Sequence, residues 1–214
     1  MQSKPDPQDF RFAMDYRAIN SYTASKRSLI PQIANLLQKI GAHKPKYFAK
    51  MDLTSGFYQA PLHENSRKYT AFSTHLGLFE FLRVSMGLLN SPFYFQNVLE
   101  KEVLADLLNK IVQLYMDDMI TWAQTVDELC DNLEQILTAL AAHGIIMNPN
   151  KCEFGMTMVE FVGHLIDSSG ISFTKAKLDE VAVMALPVDK GGLKTFLGVI
   201  GYFRNHIITH GSRT

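Results

Sequence analysis

The run QLYMDDMITW, residues 113–122, sets two adjacent aspartates inside an apolar segment of strand character. Neighbours on a regular strand point to opposite faces, so Asp117 and Asp118 can serve one place only where the backbone turns. The run therefore calls for two short strands over 111–122, closed by a tight hairpin at Tyr115 to Asp118. Taken alone, the pair is equally well explained as turn chemistry, because aspartate tolerates turn backbone and bonds to its own chain.

A third carboxylate alters that balance. Asp52 lies at the end of KYFAKMDL (46–53), which alternates as a strand with Phe48, Lys50 and Asp52 on one face and Tyr47, Ala49 and Met51 on the other. TSGFYQ follows, and its Gly56 permits close backbone approach. Three carboxylates converging from strand ends repel one another unless a cation neutralises them. Oxygen donors with room for water and phosphate suit Mg²⁺, with Mn²⁺ as a substitute, better than zinc; none of the seven histidines lies beside these aspartates. Two such ions roughly 3.5 to 4 Å apart would activate an attacking hydroxyl and stabilise a leaving pyrophosphate, which is in-line phosphoryl transfer.

Periodicity outlines the remaining elements. FRFAMDYRAIN (10–20) reads as a strand that then turns, and SLIPQIANLLQKIGA (28–42) as a helix ending near Gly41. KYTAFS (68–73) and LFEFLRV (78–84) read as strands around a turn at Thr74 to Gly77. A helix is expected from Asn90 or Ser91, with Pro92 in its first turn and apolar spacing through Leu108. Another starts at Thr125, whose spacing to Glu128 is that of a capping box, and carries Leu129, Leu133, Ile136, Leu137 and Leu140 on one stripe as far as Gly144. Residues 152–173 read as strands with turns at Gly155 and at DSSG, followed by two helices separated by Pro187. Paired strands with interspersed helices give an α+β class, with a boundary expected near residue 173.

At 214 residues the chain is long enough for one sizeable core, and 47% hydrophobic with 20% charged residues is an ordinary globular composition. No apolar run reaches the roughly 18 residues of a membrane-spanning helix, and Cys130 and Cys152 form no metal spacing, so the expected setting is intracellular, with no membrane partner. Net charge is zero, which lacks the global basic footprint of an autonomous nucleic-acid binder but leaves room for a local basic track.

LYMDDM resembles the Tyr-x-Asp-Asp box of reverse transcriptases, and other blocks follow that family's order. FRFAMDYRAIN is similar to its fingers block, KMDLTSGFYQAPL to its first catalytic block and RKYTAF to the companion downstream. VSMGLLNSPFYFQ resembles the block that leads into a helix. NPNKCEFG, VEFVGHLIDSSGI and FLGVIGYFRNHI resemble the ending typical of gypsy-type long-terminal-repeat retrotransposons. The resemblance implies a right-hand polymerase: fingers and palm over 1–173 around an antiparallel sheet with helices on one face, and a partial thumb over 174–214.

It further implies an RNA-directed DNA polymerase, a nucleotidyltransferase that adds deoxynucleotides to a primer on an RNA or DNA template. Asp52, Asp117 and Asp118 would be the metal ligands. Arg11 would grip the incoming triphosphate through its guanidinium fork. Phe57 would crowd the sugar 2′ position, the alternative being a core aromatic. Gly87 and Asn90 would shape the template and nucleotide floor, and Gln96 would face the template unless it is only helix surface. Lys151 would sit near the pyrophosphate or be a solvated loop lysine. Arg67 and Lys68 would contact template or phosphate, or be exposed charge only. Tyr115 and Met116, in the aspartate box, would lie near the primer, and strands at 159–166 would hold its end.

Ser85 and Met86 depart from the family's usual Pro-Phe before Gly87. Covalent linkage to ribonuclease H and integrase in a polyprotein, within a cytoplasmic retroelement particle, is the implied setting. An inactive, truncated scaffold from a decayed element is the alternative. A metal phosphohydrolase fits the local chemistry but not the ordered blocks.

Overall fold

A computed structural model describes residues 14–26 and 32–203. Its centre is a four-stranded antiparallel sheet in the order β4-β5-β1-β6, made of β1 (Tyr47–Asp52), β4 (Val112–Tyr115), β5 (Asp118–Ala123) and β6 (Glu153–Met156). The β1 and β5 strands pair from Tyr47 with Ala123 to Asp52 with Asp118. Period-two alternation then sorts their side chains into two cores. Met51, Met119 and Leu114 join Phe95, Leu99, Ile136 and Leu140 beneath α5 (Ser91–Val98) and α6 (Val126–Ala142). Phe48, Ile120 and Trp122 pack on the opposite face with Leu37 and Ile40 of α2 (Ile33–Ala42).

That second face also meets a three-stranded sheet, β7 (Met158–Phe161), β8 (His164–Asp167) and β9 (Gly170–Phe173), which contributes Val159, Phe161 and Ile166. Helices are therefore not confined to one face of the central sheet. After Phe173 the described chain is helical, in α7 (Lys175–Ala182) and α8 (Lys190–Phe203). No helix among the described residues is long and apolar enough to cross a membrane.

The α6 helix follows its sequence signals closely. Thr125 accepts from the Glu128 amide at 3.2 Å, and Glu128 Oε2 accepts from Gln124 N–H at 2.8 Å. Leu129, Ile136 and Leu140 are buried, but Leu137 is exposed. Buried Asn132 occupies the stripe between them, donating to the Trp122 carbonyl at 3.1 Å.

Several sequence expectations change. In the 10–20 block the described part is helical from α1 (Arg17–Tyr22), where Asp15 Oδ1 accepts from the Arg17 amide at 3.0 Å and favours a helix start over an extended run. After the single turn α4 (Glu64–Arg67), Lys68–Thr70 is a short 3₁₀ turn rather than a strand: the buried Thr70 hydroxyl donates to Arg67 O at 2.7 Å and accepts from Phe81 N–H at 2.9 Å. The hairpin shrinks to β2 (Phe72–Thr74) and β3 (Gly77–Phe79), closed by Thr74 and Gly77. The helix from Ser91 ends in a π-turn over Leu99–Val103, with Leu104 N–H donating to Leu99 O at 2.8 Å, and does not continue to residue 108. Gly155 is not a turn: it lies inside β6 at φ 66°, beside the register shift against β1, which is the use of glycine in a bulge.

Candidate active site

The β4–β5 hairpin closes with Tyr115 opposite Asp118, so Met116 and Asp117 form its two-residue tip. Met116 has a φ of 58°, a left-handed conformation more usual for glycine. That turn lets neighbouring aspartates leave the strand alternation and share one end of the sheet. Asp118 starts β5 directly opposite Asp52, which ends β1. Like charges at opposed sheet positions are destabilising unless positive charge offsets them.

Asp117, the remaining carboxylate, lies near the chain that follows Asp52. The single helical turn α3 (Gly56–Gln59) follows Asp52 after a left-handed Ser55 at φ 48°. A Cβ added at Gly56 would stand 2.8 Å from Phe95 Cε1 and 3.6 Å from Asp117 Cβ. Glycine spares α3 a clash with the core ring, while the distance to the hairpin tip is one of ordinary contact.

Electrostatics reflect this crowding. Asp118 is half-buried, and burial is the largest influence raising its carboxyl above the ordinary range; Lys50 opposes the rise, and Asp117 and Asp52 add to it. Lys151, exposed on the 3₁₀ turn Pro149–Lys151, places Nζ 3.7 Å from Asp52 Oδ1. Asp117 is exposed. Among the described residues no group of three or more His, Cys, Asp or Glu side chains is placed to hold a metal ion by itself. The donors at this end of the sheet are carboxylate oxygens, the kind a hard divalent ion takes. Mg²⁺ is typically held by one or two carboxylates, and substrate phosphates and water complete its shell.

The remaining expected residues divide by what their side chains hold. Phe57 is half-buried and meets Phe95 edge-on at 5.8 Å, so it touches the core and still reaches the surface. Tyr115 packs against the Phe48 and Trp122 core. Gly87 has a φ of 92°, and an added Cβ would sit 3.3 Å from Tyr16 Cδ2; its carbonyl accepts from Asn20 Nδ2 at 2.8 Å. The Asn90 side chain is engaged with residues 24–26, accepting from Lys26 N–H and donating to Ala24 O, both at 3.0 Å. Gln96 is buried, with Nε2 2.8 Å from Glu100 Oε1, so it does not lie on the helix surface. Arg67 Nε donates to Leu62 O at 3.3 Å, and Lys68 lies 5.2 Å from the Tyr69 ring centre. Arg11 lies outside the described residues.

Of the two departures, Ser85 is buried and its carbonyl accepts from Ser91 Oγ at 2.8 Å, while Met86 is exposed. Sequence reasoning passed over Lys50, although its alternation with Asp52 placed it on the carboxylate face. It also passed over Gln59, whose bonds across the chain leave no periodic signal.

Residues 2–166 match the family model for reverse transcriptase (RNA-dependent DNA polymerase). The retrovirus-related Pol polyprotein from transposon 297 of Drosophila melanogaster is 34% identical over 207 residues, covering 95% of this chain and 19% of that polyprotein. The corresponding polyprotein from transposon gypsy of the same organism is 29% identical over 194 residues, covering 91% of this chain and 18% of its own length. This chain thus spans about a fifth of the curated relatives it matches. Among solved structures, the foamy viral protease-reverse transcriptase dRH in complex with double-stranded DNA aligns with a TM-score of 0.77 at 26% identity, covering 94% of this chain and 35% of that one. The foamy viral protease-reverse transcriptase in complex with an RNA/DNA hybrid aligns with a TM-score of 0.73 at 26% identity, covering 94% and 26%.

Proposed function

The chain belongs to the reverse transcriptase (RNA-dependent DNA polymerase) family, and we propose that its β1–β5 end is the centre of RNA-directed nucleotide addition. The carrying observation is the register that sets Asp52 opposite Asp118, with Asp117 on the adjoining hairpin tip. The family generally uses divalent metal ions. In this reading Asp52, Asp117 and Asp118 would hold two Mg²⁺, or Mn²⁺ in their place. When bound, the ions supply activation of the attacking hydroxyl and charge stabilisation of the leaving pyrophosphate.

The protein's own residues supply placement and charge balance. Half-burial of Asp118 limits the screening of its charge by water and raises its pKa, and Lys50 opposes that rise. Lys151 leaves Asp52 for the substrate phosphates, carrying its ammonium to the developing negative charge. Phe57 stands beside the sugar 2′ position, and Met86, exposed next to Gly87, lines the nucleotide floor. Arg11 grips the triphosphate; Arg67, Lys68, Asn90 and the hairpin residues Tyr115 and Met116 border template and primer. Residues 1–173 act as fingers and palm, and 174–214 begin a thumb. The parent is a polyprotein that also carries ribonuclease H and integrase, working in an intracellular particle.

Primer extension on an RNA template with Mg²⁺ tests this reading. Wild type is expected to exceed Asp117→Asn by at least about a hundredfold, the scale of losing a preorganised electrostatic contributor. Equal extension by both would leave a folded polymerase-like scaffold instead.

A further inference from the structure

The β1 strand ends at Asp52, but its contact with the segment before β6 continues. Asn148 N–H donates to Asp52 O at 2.9 Å, Leu53 bridges Met147, and Thr54 N–H donates to Ile146 O at 3.1 Å. The chain then leaves at Ser55 for α3. At that departure the Gln59 carboxamide takes the place of a peptide unit. Its Nε2 donates to Thr54 O at 2.6 Å and to Ile146 O at 2.8 Å, and its Oε1 accepts from Ile146 N–H at 2.6 Å. The Gln59 main-chain carbonyl accepts from Arg83 Nη1 at 2.9 Å. A single helical turn has no stability of its own, so the pose of Gly56 and Phe57 depends on what α3 holds.

We propose that Gln59 is a positioning residue for sugar discrimination: by docking α3 on Ile146 it fixes Phe57 and so sets the preference for deoxy- over ribonucleoside triphosphates. The proposal rests on the reading of Phe57 as the side chain beside the 2′ position. Phe57 has the Phe95 ring as an edge-on pivot and is otherwise half-open, so a tilt of α3 shifts it laterally. The amide chemistry is specific. Glutamate keeps the acceptor for Ile146 N–H but, when ionised, turns an oxygen toward two carbonyls; methionine keeps the length and loses every bond.

Titration calorimetry of dGTP and GTP with Mg²⁺, on the full 214-residue chain, tests it. Wild type, Phe57→Val, Gln59→Glu and Gln59→Met are compared, with melting by circular dichroism alongside. Phe57→Val should narrow the dGTP-to-GTP affinity ratio. Both Gln59 variants should narrow it about threefold to tenfold, the penalty of a sub-ångström displacement, while the chain stays folded. If Gln59→Met unfolds, Gln59→Glu carries the test. A wild-type ratio in the Gln59 variants beside an altered ratio in Phe57→Val overturns the role of Gln59 and leaves that of Phe57 standing. An unchanged ratio in Phe57→Val, or no nucleotide binding by wild type, overturns the nucleotide subsite and the inference with it.

Discussion

The β1–β5 ladder carries opposite chemistry at its two ends. Phe48 faces Trp122 near one end, both buried; four residues along the same face, Asp52 meets Asp118 with like charges and partial exposure. One alternation rule places both pairs, so the difference lies in what surrounds them. The apolar pair is closed over by α2 and β7–β9, whereas the carboxylate pair is left at the end of the two central strands, beside a strained hairpin. The first end supplies rigidity that the second end uses, which is the division expected where a functional site departs from rules that the rest of a fold obeys.

The largest effect expected from breaking this contrast is at the apolar end. Phe48→Ala should cost about 3–5 kcal/mol of stability in urea unfolding, the usual loss for truncating a buried aromatic. Gly56→Ala comes next, at about 1–3 kcal/mol, because its methyl meets the Phe95 ring in a filled core. Its melting curve should shift together with extension activity, since the same methyl presses on the Phe95 ring against which Phe57 packs.

At the charged end, substitution should change stability with the opposite sign. A carboxyl whose pKa rises on folding contributes stability that is complete below its unfolded value of 3.8 and lost as pH rises through its folded value. Asp118→Asn should therefore melt higher than wild type at neutral pH without metal, with the gap closing as pH falls toward 3.8. Lys151→Met is the smallest change, below about 1 kcal/mol, because an exposed ion pair is screened. Denaturant titration at low and high salt would separate that screened contribution.

Much of this contrast is legible in the amino-acid sequence. Asp-Asp in an apolar run forces a turn, the alternation in KYFAKMDL puts Asp52 on a defined face, and Thr125 with Glu128 marks where α6 begins. The parts that were not legible depend on partners distant in sequence. Gln59 bonds to Ile146, 87 residues away, and no spacing announces it. Asn132 looks like a polar interruption of a helix stripe until Trp122 O is placed beneath it. Gly155 carries the same signal as a turn glycine, and only the register against β1 makes it a bulge. Thr70 favours a strand by propensity, but its two hydroxyl bonds hold a 3₁₀ turn.

Asp52, Asp117 and Asp118 are proposed to act as one cation site created by strand register. Electron paramagnetic resonance titration of Mn²⁺ in the presence of dGTP tests it directly. Wild type should bind Mn²⁺, and Asp52→Asn and Asp118→Asn should weaken binding by similar factors, because the two carboxylates face each other across one ladder. Binding at the wild-type level in either variant would contradict the account.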